Sequence, residues 1–319
     1  MIATRFIRFI ITAALAAGLA TPLMPAFASE PEPPRLQIRE VEIFDEGVAR
    51  KLMFRIVAPT QGGPYPLVVF SHGAMCGPDT YARVTDYWAE HGYVIIAPRH
   101  IDATSDRETM AAIDPAQILD MRLADVAFAI EQVDALETAA EIPGLIQRDR
   151  AAIAGHSFGG MIAQIISGLR LKDPQSGESQ DRSDPRFAAA VVMSGVGPMP
   201  QMADDGFDFL DRPLIATGGT RDLGNVGSGP VFPWEWRMSP YALAPEGDKY
   251  ALVMDEGGHF LGGLICRSDT DSVPDPRALA EIQHTTTLFL DAYIKEQNKA
   301  RTALQQSVGA RGRREFALK

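Results

Sequence analysis

The run Gly155-His156-Ser157-Phe158-Gly159-Gly160 sets a serine between glycines two positions before it and two after. A serine hydroxyl in that setting can act as a nucleophile if the chain turns sharply from a strand into a helix. Glycines at those two positions keep Cβ atoms out of the crossing backbone. The turn lifts the hydroxyl clear of the sheet and aims a helix N-terminus at it. Both flanking elements are present: Ala151–Ala154 is a short apolar run suited to a strand, and Phe158 opens a helical segment.

A hydroxyl needs a base before it can attack. Six histidines compete. His91 and His284 lie in helices, His156 sits beside the serine and should point away from it, and His100 follows an early strand. His72 belongs to the loop Ser71-His72-Gly73-Ala74-Met75. His259, in Asp255-Glu256-Gly257-Gly258-His259-Phe260, follows the last strand of the pattern, where a glycine pair lets a loop swing a ring over the sheet. It also follows the serine in the order Ser, Asp, His. The acid that orients the base should come after a strand between the two. Pro213–Ala216 is that strand, and Asp222 lies in the loop behind it. Asp255 and Glu256 would need an unusual backfold, and Asp204, Asp205, Asp208 and Asp211 precede the strand. Oxyanion donors are expected from the backbone N–H of Phe158, just after the nucleophile, and of Ala74, where Gly73 lets the loop turn. Met75, Tyr81, Trp234, Trp236 and Phe260 neighbour these loops in sequence and are the expected substrate-binding residues. Burial that merely anchors a loop is the alternative for the tryptophans.

These residues need a sheet to hold them. Leu36–Phe44 and Lys51–Ala58 alternate enough to read as an antiparallel pair of strands. Pro66–Phe70, Tyr93–Ala97, Ala151–Ala154, Ala188–Met193, Pro213–Ala216 and Tyr250–Met254 are apolar without alternation, as strands buried on both faces are. Leu119, Leu123, Val126, Ile130 and Val133 recur at helical spacing, and so does the stretch from Leu279 to Tyr293. Thr80–His91 and Phe158–Leu169 are shorter helix candidates. Strands alternating with helices predict an α/β class, a doubly wound and mostly parallel sheet. Only Gly195–Arg212 separates two successive strands at the usual point of cap insertion, so no separate cap domain is expected; Leu223–Pro240 would form a partial rim. Lys172–Pro185 is polar and reads as a surface insertion. Gln297–Lys319 carries six cationic residues against Glu315 and reads as a basic, solvated C-terminal tail.

Composition and the N-terminus narrow the setting. Apolar residues make up 46% and charged residues 22% of the 319, which is globular rather than disordered usage. A net charge of −11 argues against a general nucleic-acid binder. Arg5 and Arg8 precede an uncharged stretch, Phe9–Ala28, ending in Ala26-Phe27-Ala28. A basic start, an apolar middle and a small-x-small end predict a signal peptide over 1–28, cleaved after Ala28. The mature domain would then run over 29–296, with the tail over 297–319, in a periplasmic or secreted protein with no stable membrane anchor. Two cysteines exclude a four-thiolate zinc site. In an oxidising compartment Cys76 and Cys266 could bridge the oxyanion loop and the base loop, or remain two separate thiols; the separate thiols are the outcome expected here.

Phe70-Ser71-His72-Gly73, Tyr81, His91-Gly92-Tyr93 and Gly155–Gly160 together resemble the α/β-hydrolases of the platelet-activating-factor acetylhydrolase and dienelactone-hydrolase-like branch. Bacterial cutinase-like polyester hydrolases share this arrangement. Arg122 and Asp125 resemble a helix pattern of that branch, read as structural, and Asp184-Pro185-Arg186 fits it as well. The resemblance covers Pro66 to His259. Trp234 and Trp236 depart from it, in a loop after Asp222 that does not align. The resemblance implies serine ester hydrolysis through an acyl-enzyme, on a small-molecule or polymeric ester, with no metal and no organic cofactor. An amide or thioester hydrolase of the same fold, or an exported binding protein that has lost catalysis, are the alternatives.

Overall fold

The protein is described by a computed structural model covering residues 34–47, 49–103, 113–224, 229–268, 273–307 and 314–319. The expected signal peptide lies outside these residues. Among them, no helix is long and apolar enough to cross a membrane.

The two alternating stretches form β1 (Leu36–Asp45) and β2 (Arg50–Pro59), paired antiparallel in continuous register. The apolar runs become β3 (Tyr65–Ser71), β4 (Val94–Pro98), β5 (Ile146–His156), β8 (Phe187–Met193), β9 (Leu214–Gly219) and β10 (Lys249–Met254). These six lie parallel in the order β4-β3-β5-β8-β9-β10, with β2 joining β4 antiparallel. Every residue of β4, β9 and β10 is buried. That explains their unbroken apolar sequence: both faces are covered.

Helices α1 (Ala82–Glu90), α2 (Pro115–Glu131), α3 (Val133–Ala139), α4 (Phe158–Ile166) and α6 (Pro276–Tyr293) supply the cover, with the single turn α5 at Ser239–Ala242. Two apolar clusters result, one on each side of the sheet. Ile56, Val69, Ile153 and Val192 belong to one, and Val57, Val68, Ala152 and Val191 to the other. Consecutive residues of a strand divide between the clusters, as a period of two requires.

Two segments depart from the sequence reading. The expected basic tail is built into the fold. Helix α7 (Asn298–Gln306) buries Ala300 and Leu304 on one face, and β11 (Arg314–Leu318) pairs antiparallel with β10. The i, i+4 pair of apolar residues outweighs the cationic majority around it. The polar insertion after α4 folds back as a two-stranded hairpin, β6 (Leu171–Lys172) and β7 (Ser179–Gln180). Its significance lies in what it faces.

Candidate functional site

Ser157 sits between β5 and α4 with φ 55° and ψ −115°, a backbone conformation that an L-residue holds only when its surroundings impose it. Those surroundings are close. A Cβ on Gly155 would lie 2.1 Å from the carbonyl oxygen of Gly159, and one on Gly159 would lie 1.9 Å from that of Ser71. The Ser157 N–H is satisfied by Met193 O at 2.9 Å. The hydroxyl is thereby raised above the C-terminal edge of the sheet at the start of α4.

His259 Nε2 lies 3.0 Å from Ser157 Oγ, and His259 Nδ1 lies 2.7 Å from Asp222 Oδ1. An ionised carboxylate only accepts, so Nδ1 carries the hydrogen and Nε2 is free to accept from the serine hydroxyl. Asp222 is almost fully buried. Burial works to raise its pKa, but the His259 ring and the Arg237 guanidinium outweigh that effect and hold the carboxyl below its ordinary value. The competing acids stand elsewhere. Asp255 and Glu256 are exposed, Glu256 pairs with Arg221, and Asp204 pairs with Lys172.

The remaining histidines have other partners. His100 is wholly buried between Ser71 Oγ, at 2.9 Å, and Asp125 Oδ2, at 2.8 Å. His91 bonds the Tyr87 carbonyl, and His284 is exposed on α6. His72 is buried, and its Nε2 accepts from the His100 N–H at 3.1 Å. His156 turns away from the serine as expected: its Nδ1 meets the Tyr81 hydroxyl at 2.7 Å and its Nε2 the His259 carbonyl at 2.9 Å.

Arg122 underlies the loop that carries Ala74. It forms a two-pronged pair with Asp102, through Nε at 2.8 Å and Nη2 at 2.7 Å. Its remaining hydrogens go to the carbonyl oxygens of His72, at 2.5 Å, and Gly73, at 3.2 Å, and to Ser71 Oγ at 3.4 Å. The guanidinium also lies 4.5 Å from the centre of the Phe158 ring. One buried cation therefore touches both segments expected to supply oxyanion donors. Asp125, a turn further along α2, pairs with Arg50 and His100. Burial pushes its pKa up to about 7, against the pull of Arg50.

A cavity of about 980 Å³ opens over Ser157 and His259. Gly73, Ala74 and Phe158 border it beside the serine, so both expected donor residues face the same space. Met75, Met161, Val196, Met199 and Phe260 give it an apolar wall. The β6–β7 hairpin closes the far side with Lys172, Asp173, Gln180 and Arg182. Sequence reasoning missed that wall, since nothing in a polar insertion tells which way it folds back. It also missed Arg237, a lone arginine behind two tryptophans with no motif of its own.

Of the five expected substrate-binding residues, Met75 and Phe260 line the cavity. Tyr81, Trp234 and Trp236 do not, and the reason in each case is a better partner below. Tyr81 is fully buried with its hydroxyl spent on Gly73 and His156. Trp236 stacks on Phe232 with ring centres 4.9 Å apart and donates to Pro198 O at 3.3 Å. Trp234 packs against the apolar cluster beneath it. The described part of Leu223–Pro240 reaches the cavity through Arg237.

Cys76 and Cys266 are joined in a disulfide, with Cα atoms 5.3 Å apart across 190 residues of sequence. The expectation of two separate thiols is corrected. The cause is the packing of the loop after His259 against the turn Pro78–Tyr81, where the Cys266 N–H donates to Thr80 O at 3.2 Å.

Known proteins resemble this chain in sequence and in fold. A family model described as Chlorophyllase matches residues 35–176. Chlorophyllase-1 of Arabidopsis thaliana is 25% identical over 193 residues, covering 52% of this chain and 56% of that protein. Chlorophyllase-2 of the same plant is 24% identical over 193 residues, covering 56% of this chain and 53% of that protein. The chain thus spans about half the length of these two relatives. Among solved structures, a putative dienelactone hydrolase from Klebsiella pneumoniae subsp. pneumoniae superposes with a TM-score of 0.53 at 17% identity, over 81% of this chain and 100% of that one. A ferulic acid esterase from Streptomyces cinnamoneus gives 0.59 at 18% identity, over 85% and 93%. The chain therefore shares the α/β fold of the dienelactone hydrolase and the ferulic acid esterase, a mostly parallel sheet covered by helices.

Proposed function

We propose that this protein is an exported serine hydrolase that cleaves carboxylic esters carrying a bulky apolar group. The observation that carries the reading is the continuous hydrogen-bonded line Asp222–His259–Ser157, whose last two residues line the cavity. His259 Nε2 takes the proton of Ser157 as Oγ attacks the ester carbonyl. The developing oxyanion is held by the N–H groups of Ala74 and Phe158, the latter at the N-terminus of α4, where the helix dipole adds to the effect. His259 then returns the proton to the leaving alcohol, and Ser157 remains acylated. Water activated by the same ring releases the acid. Asp222, kept ionised, holds the imidazole in the required tautomer throughout.

Size and wall chemistry support the substrate class. A cavity of about 980 Å³ lies at the upper end of the range for drug-sized ligands, and its wall beside the serine is mostly apolar. The name of one similar structure, a ferulic acid esterase, is that of an ester-cleaving enzyme. Export rests on the basic and apolar pattern of residues 1–28.

Purified protein tested on p-nitrophenyl esters of graded acyl length, and on a polyester film, checks the reading. Turnover rising from acetyl to medium-chain acyl groups, with stoichiometric fluorophosphonate labelling of Ser157, is expected. Absence of both overturns it.

A further inference from the structure

We propose that Tyr81 and His156 form a buried strut between the oxyanion loop and the base, and that both are positioning residues for the ester hydrolysis proposed above. The inference rests on that reading of the site. The observation is one line of hydrogen bonds: the Gly73 N–H reaches Tyr81 Oη at 3.1 Å, Tyr81 Oη lies 2.7 Å from His156 Nδ1, and His156 Nε2 lies 2.9 Å from His259 O.

The direction of every link follows from one end. A carbonyl oxygen only accepts, so His156 Nε2 carries a hydrogen and donates it to His259 O. In the neutral ring Nδ1 is then an acceptor, and the Tyr81 hydroxyl donates to it. The tyrosine oxygen is left to accept from the Gly73 N–H. No link can be reversed without stranding a buried donor or acceptor. Tyr81 and His156 are both fully buried, and water cannot substitute at either joint without rearrangement.

The ends of the strut are chemically informative. Gly73 directly precedes Ala74, the expected oxyanion donor, and the other end grips the backbone of His259 itself. His156 directly precedes Ser157. A Cβ on Gly73 would lie 2.7 Å from Tyr81 Oη and 3.1 Å from His156 Nδ1, so the loop lies flush against the strut. Tyr81 does not border the cavity and therefore cannot act by touching substrate. It acts through the spacing between donor and base, where an error of about 1 Å is enough to cost most of the rate.

The test is Tyr81→Phe, which keeps the ring that packs 4.9 Å from Phe70 and deletes only the hydroxyl. Rates are taken per fluorophosphonate-titrated site. The expected result is a roughly 10- to 100-fold fall in kcat with KM within about twofold. Benzeneboronic acid, which forms a tetrahedral adduct on an activated serine, should lose affinity by a similar factor. A purely structural tyrosine would lower the melting temperature or the titratable fraction and leave kcat per site and boronate affinity alone. That result overturns the strut. Should Tyr81→Phe not fold, His156→Gln is measured in the same way, with the same two outcomes. A wild-type chain that neither titrates nor turns over esters overturns the hydrolase reading and the positioning role together; a wild type that does both, with an unchanged variant, overturns the strut alone.

Discussion

Arg237 Nε lies 3.3 Å from the same Asp222 oxygen that accepts from His259 Nδ1. Both side chains are buried, so this is a carboxylate with a cation on one side and the base on the other. Arg237 also reaches the carbonyl oxygens of Gly195 and Leu223, which fixes it in place. Replacing it by Gln removes the guanidinium, one of the two neighbouring groups that keep Asp222 ionised. The expected outcome is selective loss at low pH: kcat/KM at pH 5 relative to pH 7.5 should fall about tenfold further than in wild type. Parallel pH profiles of the two proteins check this.

Ser157→Ala should abolish ester turnover, by about 10⁶ in kcat, with no change in fold. His259→Ala should be comparably damaging. Asp222→Asn should retain more activity, since it preserves shape and loses mainly the tautomer control. Turnover of a p-nitrophenyl ester, read beside circular dichroism, separates these losses from misfolding.

Loss of the disulfide should cost stability. The bridge spans 190 residues, and closing a loop of that length is worth roughly 5 kcal/mol in the chain-entropy model, with measured cases commonly at 2–4. A Cys76→Ser, Cys266→Ser double variant should therefore unfold at distinctly lower denaturant concentration than the oxidised wild type. Urea titration of the variant, and of wild type with and without reductant, measures it.

Stability should also fall on acidification below about pH 6.5. His72, His100 and His156 are held neutral, first by burial and then by neighbouring positive charge, and all three sit well below the ordinary value of 6.5. Their stabilising contribution is present above the unfolded pKa and lost as pH falls. Asp125 works the other way. Burial raises it from 3.8 to about 7, so the folded state holds its proton more tightly and this group favours folding at lower pH. Three groups against one leave a net uptake of protons on unfolding near pH 5.5, so stability falls as the pH falls. Calorimetric unfolding in buffers of differing ionisation enthalpy counts those protons.

Ser157, Asp222 and His259, singled out in the sequence, come together in the structure, and two kinds of signal constrain them. Glycines mark where backbones pass close, since a Cβ on Gly159 would lie only 1.9 Å from Ser71 O, and the order of loops along a wound sheet limits which side chains share an edge. The aromatic residues carried no such constraint. Tyr81 and Trp236 are next to site loops in sequence, but an aromatic side chain goes where its ring packs and its polar tip finds a partner, here beneath the surface. The same limit applies to β11. Its residues are not apolar enough to announce a strand, and it forms because β10 offers a ladder to join. The hairpin walling the cavity and the pairing of Cys76 with Cys266 depend on how distant loops meet, which local pattern does not encode.

The C-terminal strand has a further consequence, for solubility. Lys249 and Lys319 exchange both backbone hydrogen bonds, at 3.0 and 2.9 Å, and continue the ladder by which β11 covers β10. Without those last residues, β10 would present a bare row of N–H and C=O groups along a fully buried, apolar strand, which is the surface on which foreign strands dock and sheets grow from molecule to molecule. Trimming the chain before Arg314 would therefore bare that edge and favour self-association.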